Sequence, residues 1–158
     1  MNFDISERQA QWLERVKSFM AEHVYPAVPA YYAELEQNRW KQPEVLQGLK
    51  KKAKAEGLWN LFMCPSDHDE GDFQGAGLTN LEYAPLAEEM GRIFWASEVF
   101  NCSAPDTGNM DLLHLFGTRE QKEDWLRPLM AGEIRSAYAM TEPDVASSDA
   151  TNMQTEIR

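Results

Sequence analysis

Along most of the chain, apolar residues recur at the three- and four-residue steps of a helix face turned towards a core. Leu13, Val16, Phe19, Met20 and Val24 form the first such stripe, and Ser6 with Gln9 ahead of it has the spacing of a capping box. Pro26 and Pro29 are expected to interrupt or kink this helix, because proline lacks an N–H and crowds the carbonyl four residues back. A second helix is predicted from Pro43, with Val45, Leu46, Leu49 and Ala53 inward and Gly57 as its C-terminal cap. Residues 57–62 (GLWNLF) continue as a short apolar connection. The Pro, Gly and acid content of residues 64–77 marks a loop.

Thr79 and Glu82 make a second capping box, opening a helix with Leu81, Leu86 and Met90 inward that ends near Gly91, with Pro85 in its early part. A further helical stretch is expected from Ile93 to Phe100, carrying Trp95 and Val99. Asp106 or Thr107 then caps a short helix bearing Met110, Leu113 and His114. Thr118 and Gln121 form a third box, and Trp125, Leu126 and Leu129 are expected inward before Gly132 closes the helix. Beyond Gly132 the period changes. Residues 135–141 lack a helical stripe and read as a strand entering a turn at Glu142-Pro143-Asp144, and residues 152–158 alternate like a second strand. Two strands do not make a stable sheet alone. The chain therefore reads as mainly α, with a helical domain over residues 1–132 and the beginning of a truncated β-domain over residues 133–158.

Composition narrows the partners. Of 158 residues, 43% are hydrophobic, which excludes whole-chain disorder. The formal net charge is −11, and the acid excess falls almost wholly after residue 60. Nucleic acid is excluded as the main partner because phosphate neutralisation needs a basic face. The one basic run, Lys50-Lys51-Lys52-Ala53-Lys54, reads as a solvated helix face. Cys64 and Cys102 fit neither a disulfide framework nor a zinc signature. His68 among Asp67, Asp69, Glu70 and Asp72 matches no calcium loop and reads as a solvated acidic loop, so no metal is expected. No apolar run reaches the ~18 residues of a membrane span. No signal or transit peptide is seen, so a cytoplasmic location is expected.

The segment with chemical content is residues 138–152. It packs small polar residues between the two strand-like runs. Such residues let backbone approach a ligand closely and offer N–H and hydroxyl donors to anionic or carbonyl oxygens. On chemistry alone, a hydroxyl-rich turn with local side-chain-to-backbone bonds explains the run first, and a ligand cradle second.

The run Tyr138-Ala139-Met140-Thr141-Glu142-Pro143 followed by Ala146-Ser147-Ser148-Asp149 resembles the flavin-binding signature of the acyl-CoA dehydrogenase family. Upstream, Gly117-Thr118-Arg119-Glu120-Gln121-Lys122 and Trp125-Leu126-Arg127-Pro128-Leu129 resemble that family's lead-in. The order of helices first and strands second agrees. The resemblance implies an N-terminal helical bundle and an FAD-dependent oxidation of a fatty acyl-CoA to the trans-2-enoyl-CoA. It implies that Tyr138, the Met140 backbone and the Thr141 hydroxyl lie beside the flavin ring. Ala146 would belong to the cofactor-binding loop, Ser147 would approach the FAD pyrophosphate, Ser148 the pyrophosphate or the CoA part of the substrate, and Asp149 would hold the turn. The commoner family form has one residue fewer here and a Gly in place of Ser147; the longer form belongs to a branch of the family. Residues 100–110 are expected to contribute one wall of the acyl pocket, although a kinked helix junction explains them as well. An electron-transfer flavoprotein is the implied acceptor, and a homodimer or homotetramer the implied assembly. The family's catalytic Glu lies in a C-terminal domain and has no match in this chain, so no catalytic residue is expected here. The chain thus reads as an enzyme fragment. The competing reading is a helical interaction module, or a truncated remnant, that binds no flavin.

Overall fold

The computed structural model describes residues 4–67, 71–145 and 149–156. As the pattern predicts, the fold is helical. α1 (Glu7–Phe19) opens at Ser6 with the capping box complete. It does not stop at the prolines. A widened, π-type turn (Met20–Val24) leads directly into α2 (Tyr25–Gln37), which contains both Pro26 and Pro29. The Tyr25 N–H reaches back to the Met20 carbonyl, so the five-residue step is complete just before the residue that has no N–H to give. The same device recurs later. After α7 (Arg119–Gln121) a second π-type turn (Lys122–Leu126) closes with the Arg127 N–H on the Lys122 carbonyl, and Pro128 follows within α8 (Arg127–Ala131).

Between these segments lie α3 (Glu44–Ala55), α4 (Asn80–Met90), the short α5 (Ala96–Val99) and α6 (Asp106–Phe116). The helix expected from Ile93 begins only at Ala96, and Phe94, in the turn before it, is 97% exposed. α1 packs on α4, α3 packs on α2 and α5, and α6 packs on the second π-type turn. The core is shared by all of them. Phe19 and Phe100 meet edge to face at 5.3 Å, and Met20, Leu58, Leu61, Leu86, Met90 and Met110 are fully buried around them. Tyr31 stacks on Trp95 with ring centroids 4.2 Å apart.

Two inward assignments and one outward assignment fail for physical reasons. Trp125 is exposed and Lys122 buried, because the wide turn at Lys122–Leu126 adds a residue and rotates the stripe that a 3.6-residue period predicts. Leu81 is exposed because it lies in the first turn of α4, where its carbonyl rather than its side chain faces α1. Lys50 does not belong to a solvated face: it is buried, and its ammonium lies 3.7 Å from Glu98.

Among the described residues no strand ladder forms over 135–141 or 152–156, because neither segment has a partner strand beside it. The last residues of the second expected strand, Ile157 and Arg158, lie outside the described residues. The two segments are instead tied by one side chain. The Glu142 carboxylate accepts from the Gln154 N–H (3.0 Å), the Thr155 N–H (2.8 Å) and the Thr155 hydroxyl.

Candidate functional site

The candidate site is the extended segment that leaves α8 and runs along α6. Its departure point is rigid. Gly132 adopts φ +72°, which glycine takes without strain, and a Cβ there would lie 2.7 Å from the Trp59 ring. The carbonyls at the end of α8 are capped from elsewhere in the fold. Trp59 Nε1 (2.7 Å) and Asn60 Nδ2 (3.0 Å) donate to Met130, Asn101 Nδ2 (3.1 Å) to Leu129, and Lys54 Nζ (2.8 Å) to Ala131. Asn60 and Asn101 both sit at positive φ and are joined through a 2.7 Å side-chain bond.

From Gly132 the chain crosses α6, where two polar side chains receive it. Asp106 was expected as a helix cap. It is the first residue of α6, with Pro105 in the cap position, and its carboxylate faces the segment. One oxygen accepts from the Ser136 N–H (2.7 Å) and hydroxyl (2.6 Å), and the other from Arg135 Nε (2.6 Å). Burial works against the charge on Asp106, but the Ser136 donors and the Arg135 guanidinium outweigh it and hold the carboxyl below the usual range. Asn109, one turn on, donates to the Ser136 hydroxyl at 2.8 Å and reaches the Ala137 carbonyl at 3.4 Å. Glu98 extends the cluster, accepting from Arg135 and Gln42 beside buried Lys50.

Beyond this anchor the segment is open. Tyr138 is 69% exposed, Thr141 is exposed and Met140 half-buried. Among the described residues no hydrogen bond engages the Met140 N–H or the Thr141 hydroxyl. Ala146, Ser147 and Ser148 lie outside the described residues, so the structure brings together Tyr138, Met140 and Thr141 only. Asp149 accepts from the Thr151 N–H (3.0 Å) and hydroxyl (2.6 Å), a turn-holding arrangement. Beside the segment lies a cleft of about 350 Å³ walled by Leu112, Leu113, Trp125, Leu129 and Ile134. Residues 100–105 form the junction between α5 and α6, with a cis Ala104–Pro105 bond.

Comparison with known proteins decides the family. A profile of the acyl-CoA dehydrogenase N-terminal domain matches residues 6–133. The chain belongs to the acyl-CoA dehydrogenase family. It is 55% identical over 157 residues to acyl-CoA dehydrogenase family member 11 of Gallus gallus, covering 96% of this chain and 19% of that one. It is 47% identical over 165 residues to FadE2 of Mycobacterium tuberculosis, assigned as an acyl-CoA dehydrogenase, covering 99% of this chain and 37% of that one. A solved structure from Mycobacterium abscessus, assigned to the same enzymes, superposes with a TM-score of 0.79 at 51% identity, covering 94% of this chain and 37% of that chain. The chain thus spans between about a fifth and two fifths of these relatives.

The anchor around Ser136 is the part that sequence reasoning missed. Its signal is an Asp and an Asn three residues apart at the start of a helix; the sequence reading takes Asp106 or Thr107 as a cap and places Asn109 only within the stretch 100–110 given to the pocket wall. The metal question at residues 67–72 stays with the sequence, since His68, Asp69 and Glu70 lie outside the described residues. Among those described, no group of three or more His, Cys, Asp or Glu side chains is placed to hold a metal ion, and no helix is long and apolar enough to cross a membrane. Neither cysteine has the environment of a nucleophile. Burial raises the Cys64 thiol and pushes Cys102 up to about 11.

Proposed function

We propose that this chain supplies the helical domain and the first flavin-facing segment of an FAD-dependent enzyme that oxidises a fatty acyl-CoA to its trans-2-enoyl-CoA. In this reading residues 1–132 are the helical domain and residues 133–158 begin the β-domain. The observation that carries it is the state of Tyr138–Thr141 in a chain of this family: irregular, exposed except for half-buried Met140, held at one end, with a Met140 N–H and a Thr141 hydroxyl that no other described residue uses. That strip fits an isoalloxazine edge, which presents alternating carbonyl and nitrogen positions to a backbone laid along it.

Bound FAD supplies the acceptance of two electrons from the acyl chain. The chain's own residues bind and orient. The Met140 N–H donates to the pyrimidine edge and the Thr141 hydroxyl to the N5 side, which favours negative charge on the reduced ring. Ala146 and Ser147 meet the pyrophosphate, and Ser148 meets the pyrophosphate or the CoA part of the substrate. The apolar cleft beside Ile134, with residues 100–110, contributes a wall for the acyl chain and keeps water from it. Removal of the α-proton is assigned to a carboxylate outside this chain. The acceptor that reoxidises the enzyme is an electron-transfer flavoprotein, and the working assembly is a homo-oligomer. The test is anaerobic addition of acyl-CoA thioesters of graded length to the FAD-loaded product of the complete reading frame. Loss of the visible flavin band with enoyl-CoA formation is the expected result; an unchanged band with every thioester would refute the substrate class.

A further inference from the structure

Among the described residues between Ile134 and Thr141, the polar attachments to the helical body cluster at Arg135, Ser136 and Ala137, with Ser136 at their centre. Asp106 takes both donors of Ser136 and the Nε of Arg135, and Asn109 holds the Ser136 hydroxyl and leans on the Ala137 carbonyl. Asp106 is 4% exposed. A buried carboxylate is costly unless its lone pairs are filled, and here every donor that fills them belongs to the segment, none to α6. Beyond its charge in the first turn, the side chain makes no hydrogen bond to its own helix, and its bonds serve the chain that crosses it. Met140 follows Ser136 by four residues, on the order of 13 Å of extended backbone. Over that distance no further described hydrogen bond ties the segment to the helices, so the cluster at Ser136 is the last attachment that limits where the strip can stand.

We propose that Asp106, assisted by Asn109, is the positioning residue for the flavin-facing strip Tyr138–Thr141, setting where the Met140 and Thr141 donors stand relative to the bound ring. The proposal rests on the flavin reading above. Neither residue touches the ring. They act through Ser136, and Glu98 acts behind them by sharing Arg135. Asp106 and Asn109 thereby tie the helical domain to the cofactor segment by side chains at a place where no strand ladder does so.

The experiment uses the product of the complete reading frame with Asp106→Asn, Asn109→Ala and Ser136→Ala. Amide hydrogen exchange on the FAD-free protein reads the anchor, and the visible spectrum and Kd of bound FAD read the position. In Asp106→Asn, exchange at the Ser136 amide, the one backbone N–H that Asp106 accepts from, is expected to rise about tenfold while α1, α3 and α4 keep their protection. The FAD band is expected to shift and its Kd to rise about tenfold, with Asn109→Ala showing the same changes at smaller size. Ser136→Ala should cost less in the Asp106→Asn background than alone, since the hydroxyl it removes is one of the contacts the two residues share. Unchanged exchange at the Ser136 amide overturns the proposal, and so does looser exchange with an unaltered flavin spectrum and Kd, which would make Asp106 a structural anchor alone. If Asp106→Asn does not fold, Asn109→Ala and Ser136→Ala decide on the same readouts. A wild type that takes up no FAD overturns the flavin reading itself, whereas local loosening without FAD locates the fault there and not in the anchor.

Discussion

Asp106 shows how one carboxylate can be informative beyond its own contacts. Its charged form is opposed by burial and favoured more strongly by the two Ser136 donors and Arg135. Its folded pKa thus lies below the unfolded value of ~3.9. The stabilisation is in place above that unfolded value and is lost as pH falls through the folded one. Asp106→Asn is predicted to lower stability near neutrality and to flatten the acid limb of the stability curve, as urea unfolding between about pH 7 and pH 3 would read. A variant whose acid limb matches the wild type would contradict this. The cysteines give a second prediction at this scale. With its thiol pushed up to about 11 and its side chain buried, Cys102 should resist iodoacetamide in the native protein, and Cys64, half-buried, should react slowly. Mass spectrometry of a native alkylation course checks the order; rapid labelling of Cys102 would contradict it.

At the scale of elements, most helices were legible because their ends carry local chemistry. Ser6, Thr79 and Thr118 each close a capping box in the structure as the spacing predicts. Gly57 and Gly132 each follow their helix at positive φ. What stayed hidden were departures from the 3.6-residue period. Pro26 and Pro128 each follow a widened turn, and a period-based stripe cannot anticipate the rotation that results. Pro85 is handled differently. It removes the N–H that would serve the Leu81 carbonyl, and that carbonyl accepts instead from Gln9 Nε2 at 2.8 Å. The same Gln9 amide closes the α1 capping box through its oxygen, so one buried side chain secures two helices. Gln9→Leu is predicted to cost about 1–3 kcal/mol by urea denaturation. Pro85→Ala should recover part of that loss in the Gln9→Leu background, because the restored N–H serves Leu81. No recovery would remove Gln9 from this role.

For the whole molecule, the helical class was legible from periodicity, and the family from the lead-in at residues 117–129 together with the Thr141-Glu142-Pro143 turn. The candidate site was legible only as a string of residues. Its attachment was not, because Asp106, Asn109 and Ser136 are brought together by the crossing of α6 and the segment, which no local pattern encodes. Among the described residues the expected strands do not form, because a ladder needs partners, and Glu142 joins the two segments instead. At this scale the proposed function turns on the strip Tyr138–Thr141 serving as the flavin face of a dehydrogenase. The most direct test is an FAD titration of the product of the complete reading frame, with Thr141→Val alongside, followed by the visible spectrum. The account predicts a yellow protein that binds FAD stoichiometrically, and a weaker complex with a displaced band in Thr141→Val. A colourless protein that takes up no FAD, or a Thr141→Val spectrum and affinity identical to the wild type, would contradict it.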